Sequence, residues 1–505
     1  MRIYSHPIFV LINTLNLGYN PKKGVIIMIS KDIESIKDEI KLLFNNTSDL
    51  ILYEFTTLCG DIALIAYLDG LIDKFALNED LIKPLSLNLL NPQDILSTVF
   101  LADSKELLDI NEVMGPLTNG HAILFLEGLE IGYAFEMIKW EIRSIIEPGS
   151  ERVIRGPKEG FIEDMQINKS LIRRRVKNSK LVFEDYILGS ESNTNVSLVY
   201  IKGIVKEEII EELRTRIKKI SLDGILDSEY IEYYIEDSPR SMICTIGHTE
   251  KPNVVAGKIL EGRIAIICDG SPDVLTVPKL FIENLQMSDD YYSRHQYSSY
   301  LRVLRFVSLI TSIFLPGFLV SLKTFHQEMI PTKILMTMAT NVEGVPFTPL
   351  IEALLMLFFL EIIKEYGLRI PNNVGTSITV ISGLVVGQTA VQAGLVGPIM
   401  VIAIALSVIA EFVIPDQREM TVIYRLIILI LGGIIGLFGI ACGAALMIAH
   451  LISINSFGVP YMYPIAPYDS EGMKDFIFMR PIKEMNYRPK AIAKNRKRRN
   501  DKNDK

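Results

Sequence analysis

Residues 372–415, NNVGTSITVISGLVVGQTAVQAGLVGPIMVIAIALSVIAEFVIP, decide the fold, because no acidic or basic side chain intervenes between Arg369 and Glu411. A stretch this apolar is built for lipid or for the interior of a membrane bundle. As one helix it would rise about 60 Å, twice the hydrocarbon core, so it has to fold back on itself. Gly394, Gly397 and Pro398 put the corner at 393–398 and leave two arms, 374–392 and 395–414. The second arm is nearly all Ile, Val, Ala and Leu, as a lipid-facing helix is. The first carries Thr376, Ser377, Thr379, Ser382, Gln388, Thr389 and Gln392, with Gly383 and Gly387 spaced as small-xxx-small. Such residues serve close helix packing or coat a wet path, and both readings stand at this point.

Outward from that hairpin the chain is uneven. It has 505 residues, enough for several domains, and 49% of them are apolar. The long apolar runs lie in 306–451, whereas 1–300 alternates apolar and charged residues in the soluble manner. A soluble module is therefore followed by a membrane module. The net charge of −7, with Lys and Arg clustered mainly at the very end, points to no nucleic-acid partner. That end, KAIAKNRKRRNDKNDK from Lys490, reads as a solvated, disordered tail, and beside a membrane it marks the cytoplasmic side. Cys59, Cys244, Cys268 and Cys442 are far apart, without a CxxC pair, and read as reduced thiols of a cytosolic part. Residues 7–17 are apolar but too short, and without a small-residue cleavage site, to be a secretory signal. Lys23-Gly24-Val25 back-translates to something close to AAAGGAGT shortly before the codon of Met28, so 1–27 is expected to be a mis-called start and translation to begin at Met28.

Two halves of the soluble part repeat one pattern. In the first, Ile33, Ile36, Ile40 and Leu43 predict an amphipathic helix, followed by strands at 50–55 and 63–68, helices at 72–90 and 92–100, and strands at 122–126 and 140–145. In the second, strands are expected at 181–186, 196–201 and 263–268 and helices at 206–220 and 228–236. IAYLDGLID (65–73) aligns with LVYIKGIVK (198–206), and AILFLEG (122–128) with IAIICDG (264–270), which implies two duplicated α/β subdomains, 28–147 and 148–298. The Arg-, Lys- and Gly-rich piece 148–178 forms the junction, with Arg155, Gly156, Arg173, Arg174 and Arg175 as candidate junction or inter-subunit residues. The three consecutive arginines suit inter-subdomain salt bridges or an anionic lipid or phosphate. Asp69-Gly-x-x-Asp73 and Asp269-Gly-x-x-Asp273 resemble acidic pairs at strand ends, but Asp-Gly at such a place is the signature of a turn. No Walker loop, dinucleotide-binding glycine fingerprint or Ser-His-Asp spacing occurs, so no enzyme, metal or cofactor is expected.

The junction EPGSERVIRGPKEGFIEDMQINKSLIRRRVKNSKL (147–181) closely resembles that of the GerA-type spore germination A-subunit family. The likeness continues through HTEKPN (248–253), KILEGRIAIICDGSP (258–272), DDYYSR (289–294), EIIKEYGLRIP (361–371) and GLVVGQTAVQAGLVGP (383–398). Where the family usually carries Pro, Arg-Pro-Asp and Ala, this chain has Cys244, Lys251-Pro252-Asn253 and Tyr366. The resemblance implies a multi-pass subunit of a nutrient germinant receptor in the inner membrane of dormant bacterial spores. It implies a transporter-like B subunit and a lipoprotein C subunit as partners, contact with membrane lipid, and assembly as a homo-oligomeric, ligand-gated cation channel that releases monovalent ions. A SpoVA-associated accessory germination protein and a non-conducting receptor scaffold are the alternatives.

The membrane module, 299–455, is expected to be all-α, with spans at 306–322, at the two hairpin arms and at 424–452, about four in all. Residues 346–366 contain Glu352 and Glu361, which leaves too short an apolar run. They read as a re-entrant or interfacial helix with those carboxylates placed to attract cations, or as a span in which they pair with Lys or Arg. Gly432, Gly433, Gly436, Gly439 and Gly443 mark a close-packing face on the last span. An N-terminal module and a basic tail (456–505) both in the cytoplasm require an even number of crossings. The pore is expected to be lined by Thr379, Ser382, Gln388 and Gln392, gated by dewetting at Val385, Val386 and Val391, with Gly383 and Gly387 letting the helix shift.

Overall fold

The computed structural model describes residues 28–99, 101, 104–138, 151, 155–342, 345–369, 383, 385–495 and 497. The chain divides into two compact units, 1–140 with 177–180, and 141–176 with 181–505.

The first unit is a five-stranded antiparallel sheet of strands β1 (Leu50–Thr56), β2 (Ile62–Leu68), β3 (Ser104–Leu107), β4 (His121–Leu126) and β5 (Gly132–Glu136), in the order β1-β2-β4-β5-β3. Both faces are covered. On one, the Ile33–Leu43 helix, capped by the Asp32 carboxylate accepting from Ser35 N at 3.1 Å, buries Ile33, Ile36 and Ile40 beside Leu64, Leu68 and Phe125. On the other, Leu77, Leu81 and Leu85, in a helical run from Lys74 to Asn88, lie against Ile65 and Leu124. Burial on both faces explains why IALIAYL reads as a continuous apolar run and not as an alternating one.

The second unit repeats the sheet with β6 (Leu181–Leu188), β7 (Thr194–Ile201), β8 (Gly247–Thr249), β9 (Ile264–Cys268) and β10 (Val274–Val277), in the order β6-β7-β9-β10-β8. Strand for strand this is the order of the first sheet, and the motifs aligned by sequence fall on β2 with β7 and on β4 with β9. The glycine that closes each motif has the same left-handed φ: Gly70 +79°, Gly203 +87°, Gly128 +86° and Gly270 +86°. Only glycine enters that region freely, so the repeat survives where the turn demands it.

Some elements differ from the sequence reading. The junction contains a helix, Met165–Arg175, started by the Asp164 side chain accepting from Gln166 N and Ile167 N. Strands β3, β5, β8 and β10 are short or carry turn residues, and periodicity missed them. The expected strand at 140–145 and the expected start at 1–27 lie outside the described residues. Residues 455–495 are not a loose tail. Asn455–Ser456 and Val459–Pro460 form a two-stranded ladder, Phe281 N donates to Tyr461 O at 2.9 Å, and Lys494 N donates to Ile204 O at 2.8 Å. Ile492 and Ala493 are buried, so the disordered tail expected from Lys490 is corrected through Asn495.

The rest of the second unit is helical: His295–Phe325, Thr332–Val342, Pro349–Arg369, Pro398–Glu411, Arg418–Ile435 and Leu437–Ser453. Among the described residues one helix, His295–Phe325, is long and apolar enough to cross a membrane; Pro398–Glu411 and Pro415–Ile435 pass together but bend by 110° at their break. These helices do not yield the four spans counted from sequence. The single span expected at 424–452 is also corrected. Gly436, at φ +75° and ψ −152°, breaks it, and the chain returns as a helical hairpin. Its arms touch at glycines: a Cβ on Gly439 would run into Leu431 O, and one on Gly443 would meet Ile428 Cδ1 at 2.6 Å.

Candidate functional site

The helical region is assembled at places where side chains are small. The long helix crosses Arg418–Ile435 at Gly317 and Gly432; a Cβ on Gly317 would lie 2.9 Å from Ile428 O, and one on Gly432 would lie 2.8 Å from Gly317 O. Ser407 Oγ donates to Ser312 O at 2.7 Å and joins the Pro398–Glu411 helix to the same long helix. Close backbone approach and hydroxyl bonds of this kind hold helices together where lipid removes the hydrophobic drive.

Charged residues sit inside this packing in three groups. At one end, fully buried Glu352 lies 3.5 Å from Lys323 Nζ and accepts from Gly397 N at 3.1 Å. Gly397 is the N-cap of the Pro398–Glu411 helix, so the carboxylate faces the positive end of that helix dipole. Nearer the other end, Glu411 accepts from Arg425 Nη1 at 2.9 Å and from Lys364 Nζ at 3.1 Å. Glu361 accepts from Lys364 Nζ at 2.9 Å and from Arg425 Nη2 at 3.0 Å. Two carboxylates thus share two cations, and Arg425 and Glu411 are almost wholly buried. A third group anchors the start of the long helix: Asp290 Oδ2 accepts from Arg302 Nε at 3.0 Å and Arg305 Nη1 at 2.8 Å, and Arg302 Nη1 reaches Asp475 Oδ1 at 2.9 Å. Of the two readings of Glu352 and Glu361, this geometry is that of pairing with Lys and Arg. Lys364 is three residues from Glu361 on the same helix, but Lys323 and Arg425 lie 29 and 64 residues from Glu352 and Glu361, so no local pattern discloses those two.

The predicted pore residues fall as follows. Thr379 and Ser382 lie outside the described residues. Residues 385–392 are helical, and Gly394, at φ +65°, turns the chain into Pro398–Glu411. A Cβ on Gly387 would come within 3.9 Å of Val401 Cγ1, so the two arms lie side by side at that point, and among the described residues nothing comes within 4 Å of a Cβ on Gly383. Ala390 and Val396 are buried with Met400 and Met356. Val385, Gln388, Thr389 and Gln392 are exposed, while Val386 and Val391 are half-buried. The short helix therefore has one face packed on the bundle and one face, carrying both glutamines, uncovered in the single chain.

At the junction, Arg155 is exposed and Gly156, at φ +132°, lies under the Tyr292 ring, where a Cβ would be 2.7 Å from Cε2. Arg173 is buried with its guanidinium 4.9 Å from the centre of the Phe183 ring, and Arg175 pairs with Glu159, which Arg174 also approaches at 3.8 Å. Asp69 Oδ1 accepts from Gly70 N at 2.9 Å and Asp73 Oδ1 from Phe75 N at 2.9 Å; both are turn and cap residues.

Comparison with known proteins bears on all of this. Residues 38–491 match the family model described as Bacillus/Clostridium GerA spore germination protein. The chain is 40% identical to spore germination protein KA of Bacillus subtilis over 92% of this chain and 87% of that protein. It is 33% identical to the uncharacterized membrane protein YfkQ of the same organism, over 92% of each. Among solved structures it is similar to the N-terminal domain of the A subunit of the Bacillus megaterium spore germinant receptor GerK3. That likeness has 30% identity and a TM-score of 0.42, and it covers 51% of this chain and 99% of that one.

Proposed function

Because the chain belongs to the GerA spore germination protein family, we propose that it is the A subunit of a nutrient germinant receptor and conducts cations when several copies assemble. In this reading its partners are a transporter-like B subunit, a lipoprotein C subunit and membrane lipid. The helical region seats it in the spore's inner membrane. The long helix ends at Phe325 beside Gly436, and Leu437–Ser453 runs back from there toward the second sheet, where the long helix began. An even number of crossings, with both modules in the cytoplasm, accounts for that return.

One observation carries the conducting role: Gln388, Thr389 and Gln392 form an exposed polar face inside the most apolar stretch of the chain. Amide and hydroxyl groups exposed to hydrocarbon are costly, and they are satisfied when copies of the helix surround water. Val385, beside them, and half-buried Val391 supply bulk that closes such a path by dewetting, and Gly383 and Gly387, without side chains, let the helix shift. The ion pairs at Glu352, Glu361 and Glu411 hold the surrounding bundle and leave conduction to uncharged groups.

Ion flux from liposomes carrying the purified protein tests this. Val391→Ala is expected to raise basal flux by about tenfold, since a dewetted constriction depends on the bulk that closes it, and Gln388→Leu to abolish it. Spores carrying Val391→Ala should lose dormancy without nutrient. Folded, oligomeric protein that gives no flux with or without the substitutions would leave the chain a non-conducting receptor scaffold, and flux that ignores both would rule out this helix as the lining.

A further inference from the structure

The second sheet unit carries a surface that the receptor role does not use. The Ser228–Ile235 helix, SEYIEYYI, buries Ile231 and Ile235 and turns Tyr230, Tyr233 and Tyr234 outward, with exposures of 44%, 65% and 46%. These positions follow the i, i+3, i+4 rule, so the three rings share one helix face. The loop that follows exposes Arg240 and Met242. Within that loop Ser241 Oγ lies 3.3 Å from His450 Nε2, near the end of the apolar Leu437–Ser453 helix, and His450 Nδ1 lies 2.6 Å from Tyr424 OH. Ile231 and Ile235 belong to one continuous core with Tyr424, Leu451 and Ile454, so the tyrosine helix is built onto the ends of the apolar helices. Their outer surfaces expose Ile448, Ile452 and Leu446.

We infer that the tyrosine face of the Ser228–Ile235 helix rests in the headgroup layer of the bilayer. This rests on the membrane seating proposed above. The chemistry of the face selects that occupant. Tyrosine joins an apolar ring to a polar tip and collects where hydrocarbon meets water. In the loop that follows, exposed Arg240 is a cation for lipid phosphate and exposed Met242 an apolar contact. The same residue type recurs on the long helix, where Tyr297 and Tyr300 are exposed just before the exposed apolar residues Leu304, Val307 and Ile310. A soluble subdomain held flat against the membrane in this way fixes the angle at which it meets its receptor partners.

The chain has one tryptophan, Trp140, which allows a direct test. In the Trp140→Phe protein, Tyr233→Trp and, separately, Tyr234→Trp report on this face and Phe318→Trp on the apolar part of the long helix. The full chain is placed in phosphatidylglycerol-containing vesicles whose lipids carry bromine either high or low on the acyl chain. Emission from positions 233 and 234 is expected to fall by about half with shallow bromine and to change little with deep bromine, and position 318 to show the reverse order. If position 318 is quenched while 233 and 234 are quenched by neither lipid, the face is covered by protein, such as a second copy, or by water, and the inference fails. If no position is quenched, the membrane seating itself fails.

Discussion

At Glu283 burial and charge oppose each other. Burial pushes the carboxyl up, but Arg263 at 2.8 Å and Lys258 at 3.0 Å outweigh it and bring it down from an ordinary 4.5 to about 2. A carboxyl held lower in the folded chain than in the unfolded one stabilises above pH 4.5, and that contribution is lost as pH falls toward 2. The difference amounts to about 3 kcal/mol. In thermal unfolding of the purified protein, wild type should lose stability through this window and Glu283→Gln should start lower and lose less; parallel slopes would argue against the assignment. Residues of this kind are legible only in part. The Asp-Gly turns are readable because a left-handed φ selects glycine locally, whereas Glu283 gains its role from Arg263, 20 residues away in the chain. Glu352 is a similar case, since a carboxylate between apolar residues announces a buried partner without saying that Lys323 is that partner.

At the scale of elements, glycines divide between two tasks that sequence does not separate. Gly432, Gly439 and Gly443 are contact points, as expected for a packing face, but Gly436 is the hinge of a hairpin. The two look alike in sequence, because a backbone that needs φ +75° and a backbone that needs a close neighbour both exclude a Cβ. The crossing of the long helix provides a test. Gly317→Val would press a side chain into the Ile428 backbone, and overpacking of this kind costs about 1–3 kcal/mol. It should lower the melting temperature in detergent, whereas Gly257→Ala, on a helix with open space around it, should leave it unchanged or slightly raised. Equal effects of the two would mean that the crossing is not close-packed in the folded protein.

At the scale of the molecule, the segment after the last helix ties the second unit together. Tyr461 is fully buried, with its ring centre 6.1 Å from that of Phe281 and its OH accepting from Asn284 Nδ2 at 2.9 Å. Phe457 N donates to Asp237 Oδ2 at 2.6 Å, and its ring lies under the Arg216 guanidinium. Tyr461→Ala is expected to cost about 3–5 kcal/mol, and Tyr461→Phe about 1 kcal/mol for one hydrogen bond lost, since Asn284 Nδ2 still donates to Phe281 O, both read as shifts in denaturant midpoint. Midpoints unmoved by either would detach this segment from the core. What the sequence determined alone is what depends on neighbours in the chain: the amphipathic helices with a clear period, such as Ile33–Leu43 and Glu207–Lys218, the central strands and their glycine turns, the fold-back at Gly394, and a repeat visible as two pairs of matching strings. Only the tertiary structure decided which charges meet, where the last apolar run breaks, and that residues 455–495 pack instead of trailing away. These depend on contacts between distant segments, whose free energy exists only once the chain has closed and whose partners no periodicity encodes.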